Sequence, residues 1–389
     1  MKKSAIALAV AAALVGSSAF ADTTLYGSAR VSVDYNDLDT TYTGARAPNG
    51  ALIPLVKGFT SWDVVNNSSR LGVRGEEDLG GGLSAIYQYE FGVDVTEGTP
   101  GWNSNRPKWV GLKGDSWGSV TLGTQWTPYY NVLGVSDIFN NSANTFLQRT
   151  GYLGSVYGTR MDNSLVYSSP NWSGFGFQAM LVMNGDVGAN DPTTPAELQK
   201  CNADNKLPCN LSSSVDMYQL NATYKNGPFF AGAAYMAVDG RSFDNYFNEP
   251  LYTGFKYTAP NWDGDQWGLA FGYNSGPFAV TLNYEDGDLN TLYYGGGTNV
   301  YVTGAYTFGN NIIRAAYGYT DPDKGQVAYY TDGVRTGTFT QDTINTFVLG
   351  YQYNFSKRTR VWAEYTNSDA DSDLIGTAQA LSIGTRVDF

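Results

Sequence analysis

The chain has no histidine in 389 residues and only two cysteines, Cys201 and Cys209. Without histidine there is no Ser-His-Asp triad, no Cys-His pair and none of the common zinc sites. Outer-membrane barrel hydrolases that rely on histidine are excluded with them. Basic residues are also scarce: 24 Lys and Arg against 36 acids leave a formal charge of -12. Nucleic acid, which needs clustered Lys and Arg, is not an expected partner. Beyond the first residues, no apolar run reaches the roughly 20 residues a helix needs to cross a bilayer.

The motifs that could carry chemistry are incomplete. Asp369-x-Asp371-x-Asp373 begins like a calcium loop, but Leu374 stands where the loop needs Gly and Ala380 where it needs Glu. Gly80-Gly81-Gly82 and Gly295-Gly296-Gly297 lack the Lys-Ser/Thr that completes a phosphate loop. Glu76 and Glu77 are adjacent, whereas a glycosidase pair must flank its substrate. The expectation is no enzyme, no cofactor and no metal.

What is present begins with an export signal. Lys2 and Lys3 precede an apolar stretch from Ala5 to Val15, and Ala19-Phe20-Ala21 is a small-x-small cleavage site. Residues 1–21 are expected to be removed, leaving 22–389 as a single domain. In an exported chain Cys201 and Cys209 are expected to pair and close a small loop.

After the signal, period-2 alternation defines sixteen segments: 25–35, 69–77, 83–91, 108–113, 118–125, 163–168, 174–183, 216–225, 228–238, 266–273, 277–285, 299–308, 311–319, 344–353, 359–365 and 379–389. Seven tight connections, such as Asn226-Gly227 and Gly309-Asn310, alternate with eight long ones. One further alternating segment, Leu251–Ala259, would break that rhythm and is placed in the long fifth loop. The pattern predicts an all-β, sixteen-stranded antiparallel transmembrane β-barrel with short periplasmic turns and long external loops. Closure is what makes it viable, because only helices and closed barrels satisfy every backbone polar group in hydrocarbon.

Parity assigns the faces. Leu381, Ile383, Val387 and Phe389 oppose Ser382, Arg386 and Asp388; Leu25, Ala29, Val31 and Val33 oppose Ser28, Arg30, Ser32 and Asp34. Arginine facing lipid at mid-depth costs about 2–4 kcal/mol, so the polar face is the lumen. Tyr284, Tyr319, Tyr353 and Tyr365 fall near strand ends, as an interfacial aromatic belt requires. A sixteen-stranded barrel encloses water, where eight strands would fill with side chains.

Several short motifs then occur in order. They are Leu25-Tyr26-Gly27, Ser69-Arg70-Leu71-Gly72, the run Gly75-Glu76-Glu77-Asp78-Leu79-Gly80-Gly81-Gly82-Leu83, Val110-Gly111-Leu112, Val120-Thr121-Leu122-Gly123, and Asn163-Ser164 with Tyr167-Ser168-Ser169-Pro170. With the terminal Phe389, the set resembles the general diffusion porins of Gram-negative bacteria, of the beta-proteobacterial and neisserial type. The resemblance implies a homotrimer in the outer membrane, surrounded by lipid and lipopolysaccharide, that passes ions and small hydrophilic solutes. It also implies a third loop folded into each lumen as an eyelet, here residues 126–159. Family members often carry Arg two residues after the position of Leu122, where this chain has Thr124.

By parity Arg30 and Arg70 point inward near mid-strand, while Arg74, Arg314, Arg360 and Arg386 point inward nearer the periplasmic ends. After closure most of these strands are neighbours and form a basic strip. Asp137, the only acid in the third-loop stretch, is expected to face it and set a transverse field. The competing reading is salt bridging within the wall, Arg74 with Glu76 or Arg386 with Asp388. Acidic external loops, including Asp369 to Asp373, would enrich cations while the arginines favour anions, so the sign of selectivity does not follow. Two other functions compete with passive diffusion. One is a substrate-selective channel with Trp126, Tyr129 and Tyr130 as a sugar slide, and the other is a barrel that only displays adhesive loops.

Overall fold

The computed structural model describes residues 22–39, 41–46, 52–96, 102–103, 106–140, 159–183, 215, 217–238, 264–287, 297–322, 326–331, 334–340, 343–370 and 376–389. The proposed signal, both cysteines and Leu251–Ala259 lie outside these residues.

Sixteen antiparallel walls close on themselves. They are β1 (Thr24–Leu38), β2 (Phe59–Asn66 and Arg70–Gly80), β3 (Leu83–Val93), β4 (Lys108–Gly114, extended by Trp102–Asn103), β5 (Gly118–Trp126), β6 (Arg160–Ser168), β7 (Phe175–Val182) and β8 (Met217–Asn226). The second half is β9 (Phe229–Val238), β10 (Gly264–Ser275), β11 (Phe278–Gly287), β12 (Gly297–Phe308), β13 (Asn311–Pro322), β14 (Ile344–Asn354), β15 (Thr359–Ala370) and β16 (Ala378–Asp388). Each pairs with its sequence neighbour, and β16 pairs with β1 from Ser28↔Asp388 to Leu38↔Ala378. Gly27 and Phe389 exchange both backbone hydrogen bonds at 3.0 and 3.1 Å, sealing the seam. Among the described residues the barrel leaves no sheet edge for lipid.

All seven tight turns fall where the sequence places them. Gly227, for example, takes φ +55°, a left-handed value that suits glycine in a two-residue turn. The walls run further up than the alternation indicates. The upper half of β2, Phe59–Asn66, was not expected, and neither were two hairpins in the long connections, Thr41–Arg46 with Leu52–Val56 and Gln326–Thr331 with Val334–Thr340. In Phe59–Asn66 only Trp62 and Val64 mark the outer face, with Val65 on the inner one, too short an alternation to stand out in the sequence.

The two halves of β2 are separated by a bulge, three residues (Asn67–Ser69) against two on β1. Ser68 sits at φ +62°. The loose ends are satisfied locally: Asn67 N–H donates to the Arg30 carbonyl at 3.0 Å, Arg30 N–H donates to Ser69 Oγ at 2.9 Å, and Asn67 Nδ2 donates to Ser32 Oγ at 2.6 Å. Bulges of this kind re-aim side chains, and this one lies beside Arg30.

The outer face is apolar, with two aromatic bands. Near the tight turns Phe229 packs on Tyr273 (ring centroids 5.3 Å) and Phe278 on Tyr306 (4.8 Å). Near the long connections Trp267 packs on Tyr284 (5.2 Å) and Tyr35 on Trp62 (5.0 Å). These are the two interfacial girdles of a membrane barrel. Among the described residues no helix is long and apolar enough to cross a membrane.

Candidate functional site: the lumen constriction

The connection after β5 turns into the barrel. Thr127 caps a short helix, α1 (Pro128–Leu133), its Oγ1 accepting the Tyr130 N–H at 3.0 Å, with Pro128 at the first helical position. Tyr129, Val132 and Leu133 share one helix face and are fully buried. They pack on inward side chains of β6 to β10, among them Val166, Met180, Met217, Met236 and Ala270. At roughly 1.5–3 kcal/mol for each large side chain buried, this contact fixes the loop. Here the inner face is apolar, a departure from the rule that lumen residues are polar. Gly268 on β10 gives the room: a Cβ there would lie 3.0 Å from both Leu133 Cδ2 and the Tyr129 hydroxyl.

Polar groups of the wall then secure the loop. Tyr129 Oη donates to Glu285 at 2.9 Å and accepts from Gln266 Nε2 at 2.8 Å; Asn299 donates to the other Glu285 oxygen at 2.8 Å. Burial, then the Glu285 charge, hold the Tyr129 phenol well above its usual pKa. Asn283 Nδ2 donates to the Leu133 carbonyl and Ser136 Oγ, both at 2.7 Å. Further along, Phe139 packs on Tyr301, Ala316 and Val348. Asn140 N–H donates to the Glu364 carboxylate at 2.8 and 3.1 Å. Residues 127–140 therefore cross the lumen against β6 to β15.

Asp137 is exposed on this loop, and its carboxylate accepts from Tyr130 Oη at 2.9 Å. Tyr130 stacks on Trp126 at 4.3 Å, and the Arg160 guanidinium covers Trp126 at 4.5 Å. Burial and Asp137 raise the Tyr130 pKa, while Arg160 and Arg70 pull it down. The other Tyr130 face is occupied by Gly134, and Tyr129 is fully buried. The three aromatics considered as a sugar slide thus hold the loop and leave little free ring surface.

Facing the loop is the arginine strip on β15, β16 and β1 to β4. Arg30 is directly opposite Arg386, which is directly opposite Arg360. Asp388 accepts from Arg386 Nε at 2.6 Å and also from Arg360. The Arg30 guanidinium donates to Ser28 Oγ at 3.2 Å, with Arg70, Arg386, Arg106 and Asp388 all within electrostatic reach. Arg314 stands apart on β13, donating to Gln352 Oε1 at 2.9 Å, with Glu364 nearby. Arg74 lies over the Tyr26 ring at 5.4 Å, and its expected partner Glu76 instead binds Lys113 at 3.0 Å. Arg386 with Asp388 is the expected wall pair that does form.

Parity also exposes what sequence reasoning missed. Glu90 is buried on β3, on the same face as Gln88. It receives Arg106 at 2.6 Å and the Tyr26 hydroxyl at 3.0 Å, with Arg70 at 3.8 Å. Nothing near Glu90 in the sequence marks it as the partner of Arg106, 16 residues on. Thr124 keeps the outward register of Leu122, and charge in this part of the lumen comes from Arg106 and Arg160.

The family model described as Gram-negative porin matches residues 7–373. An outer membrane porin protein of Bordetella pertussis is 27% identical across 100% of this chain and 99% of its own. The major outer membrane protein P.IB of Neisseria meningitidis serogroup A is 28% identical, covering 92% of this chain and 91% of its own. Among solved structures, the anion-selective porin from Comamonas acidovorans superposes with a TM-score of 0.61 at 18% identity, over 95% of this chain and 100% of that one.

Proposed function

Since the chain belongs to the Gram-negative porin family, a water-filled outer-membrane channel for passive diffusion of ions and small hydrophilic solutes, we propose that its constriction is a charge filter biased toward anions. The single observation that carries this reading is the row Arg360, Arg386, Arg30, set opposite a loop whose acid, Asp137, is exposed. Arginines outnumber carboxylates on that wall, because Glu90 and Asp388 are shared among Arg70, Arg106, Arg360 and Arg386. A permeating ion crosses the field between Asp137 and the strip, and fixed charge at a narrow point selects by sign.

The protein carries no reaction in this reading; solutes move down their gradients. Its protomers assemble as a homotrimer in a membrane of lipid and lipopolysaccharide, after the signal at 1–21 is removed. These three features rest on the family and on the sequence.

The test is reconstitution in a planar bilayer with a salt gradient. The expected record is conductance in steps of three, with a reversal potential on the anion side. Insertion without current would reject the channel; a cation-side potential would reject the arginine filter.

A further inference from the structure

Below the constriction, toward the tight turns, one row of inward residues runs across four walls: Thr24 opposite Arg74, Arg74 opposite Gln88, Gln88 opposite Trp109. Arg74 lies four positions below Arg70, roughly 13 Å of strand. The row lines a cavity of about 1050 Å3.

These side chains are poised and little used. The Arg74 guanidinium is exposed and rests on the Tyr26 ring, with no hydrogen bond or ion pair among the described residues. Its platform is fixed, because the Tyr26 hydroxyl is held by both Gln88 at 2.6 Å and Glu90 at 3.0 Å. Of the carboxylates that line the same cavity, Glu76 is taken by Lys113, and Asp22, Asp78 and Asp115 sit on its rim toward the tight turns. Gln88 spends its amino group on Tyr26, and its carbonyl oxygen accepts nothing among the described residues. The Trp109 side chain makes no hydrogen bond or ring contact among the described residues either. A part-buried tryptophan normally finds a partner for its N–H. The wall beyond it offers none, because its direct partner is Gly123. With φ at +128°, and with any added Cβ falling 2.2 Å from the Lys108 carbonyl oxygen, that position accepts no side chain.

We propose that Arg74, Gln88 and Trp109 form a binding shelf for a monosaccharide bearing one carboxylate, a sugar acid, on the exit side of the constriction. The inference rests on the channel reading above. The pyranose ring packs its C–H face on the indole, as apolar surface packs on an aromatic ring. A ring hydroxyl donates to the Gln88 carbonyl, and the carboxylate takes the paired N–H groups of Arg74. Arg74 and Trp109 are two strand spacings apart, roughly 10 Å, a span that one such molecule bridges with both side chains reaching inward. A simple carboxylate would use only the arginine, and a neutral sugar only the other two. The shelf slows passage of this solute class without blocking diffusion of others.

The test is ion-current recording on the full mature protein with D-glucuronate on the tight-turn side. The expected result is transient, saturable block of the salt current, with D-glucose, acetate and benzoate showing none at matched concentration. Trp109→Ala and Arg74→Gln should each raise the half-blocking concentration about tenfold, equivalent to about 1.4 kcal/mol. Trp109→Phe, which keeps a ring face and is less prone to misfold, should stay within about twofold of the parent. Trp109→Ala leaves the fixed charge alone, so its reversal potential should not move. Unchanged block in Trp109→Ala, no block by glucuronate in a conducting channel, or stronger block by benzoate would each overturn the shelf. A protein that inserts and carries no current would overturn the channel reading, and the shelf with it.

Discussion

Arg30 and Arg386 face each other directly across the seam where the last strand closes on the first, and Arg360 faces Arg386 from the other side. Like charges directly opposite one another destabilise a sheet. One carboxylate, Asp388, offsets Arg360 and Arg386 but makes no ion pair with Arg30. On the proposed reading the strip costs stability and supplies field. Arg30→Gln is expected to stabilise the barrel by about 0.2–1 kcal/mol. The same change should move the reversal potential toward cations, and Arg30→Glu with Arg70→Glu should move it further. Heat-induced unfolding and salt-gradient potentials check both. A loss of stability together with an unchanged potential would place Arg30 in structure alone.

Glu90 acts in the opposite sense. It is buried against Arg106, itself 9% exposed, and also bears on Arg70. Removing one partner of a buried pair leaves an uncompensated charge, typically a loss of about 3–5 kcal/mol. Glu90→Gln should destabilise on that scale and, in the protein that folds, raise anion preference. Thermal unfolding and reversal potential separate the two effects. A variant as stable as the parent would show that Arg106 is not held by this carboxylate.

The Tyr129 hydroxyl ties α1 to Glu285, a residue 0% exposed. Tyr129→Phe removes the donor without changing the packing and leaves a buried acceptor short, which costs about 1–3 kcal/mol. The expected phenotype is a folded channel with more frequent closures under voltage, seen in single-channel traces. A quiet channel would show that the apolar face of α1 holds the loop by itself.

The same phenols fix how the loop responds to pH. Tyr129 and Tyr130 both have pKa values raised from 10.0, by burial first and then by Glu285 and Asp137 respectively. A group whose folded-state pKa is raised contributes stability that is complete below the unfolded value and is lost as pH climbs toward the folded one. These two residues therefore contribute evenly through neutral pH, and their share falls only above pH 10. Closures that increase only in strongly alkaline buffer, and less so in Tyr130→Phe, are the expected result. Loosening of the loop between pH 7 and 9 would have to come from other groups.

Much of the architecture is written in alternation, because a barrel wall has one face in lipid and one toward the lumen at every second residue. That rule suffices to place Arg30, Arg70 and Arg386 inside and Leu381 and Ile383 outside. It reports a face and never a partner. Glu285 and Tyr129 are 156 residues apart in the chain, so nothing local marks them as a pair. Nor does parity foresee Met180, Met217 and Met236 pointing inward, since they are covered by α1 rather than by lipid or water. Asp137 was legible only by elimination, as the one acid in its loop. Arg74 was weighed against Glu76 on its own strand, yet the partner of Glu76 came from β4, two walls away.

Gly268 offers the sharpest test of how the loop is seated. It lies on β10 directly under α1, with backbone angles that any residue can adopt, so a substitution acts through space alone. A Cβ would meet Leu133 and the Tyr129 hydroxyl at 3.0 Å, and the added methyls of valine have nowhere to go but into the helix. Overpacking of this kind costs about 1–3 kcal/mol when the site cannot yield. Here one side of the site is a loop that can move toward the lumen. Gly268→Val is therefore expected to keep a folded barrel, because valine suits a strand, while pushing α1 and Asp137 toward the arginine strip. The narrowed passage should show as reduced single-channel conductance, together with slower entry of larger neutral solutes. Parental conductance at reduced stability would mean that the wall yields and the loop stays in place. In that case the aperture is set by the polar contacts of Asn283, Glu285 and Glu364 rather than by the apolar seat of the helix.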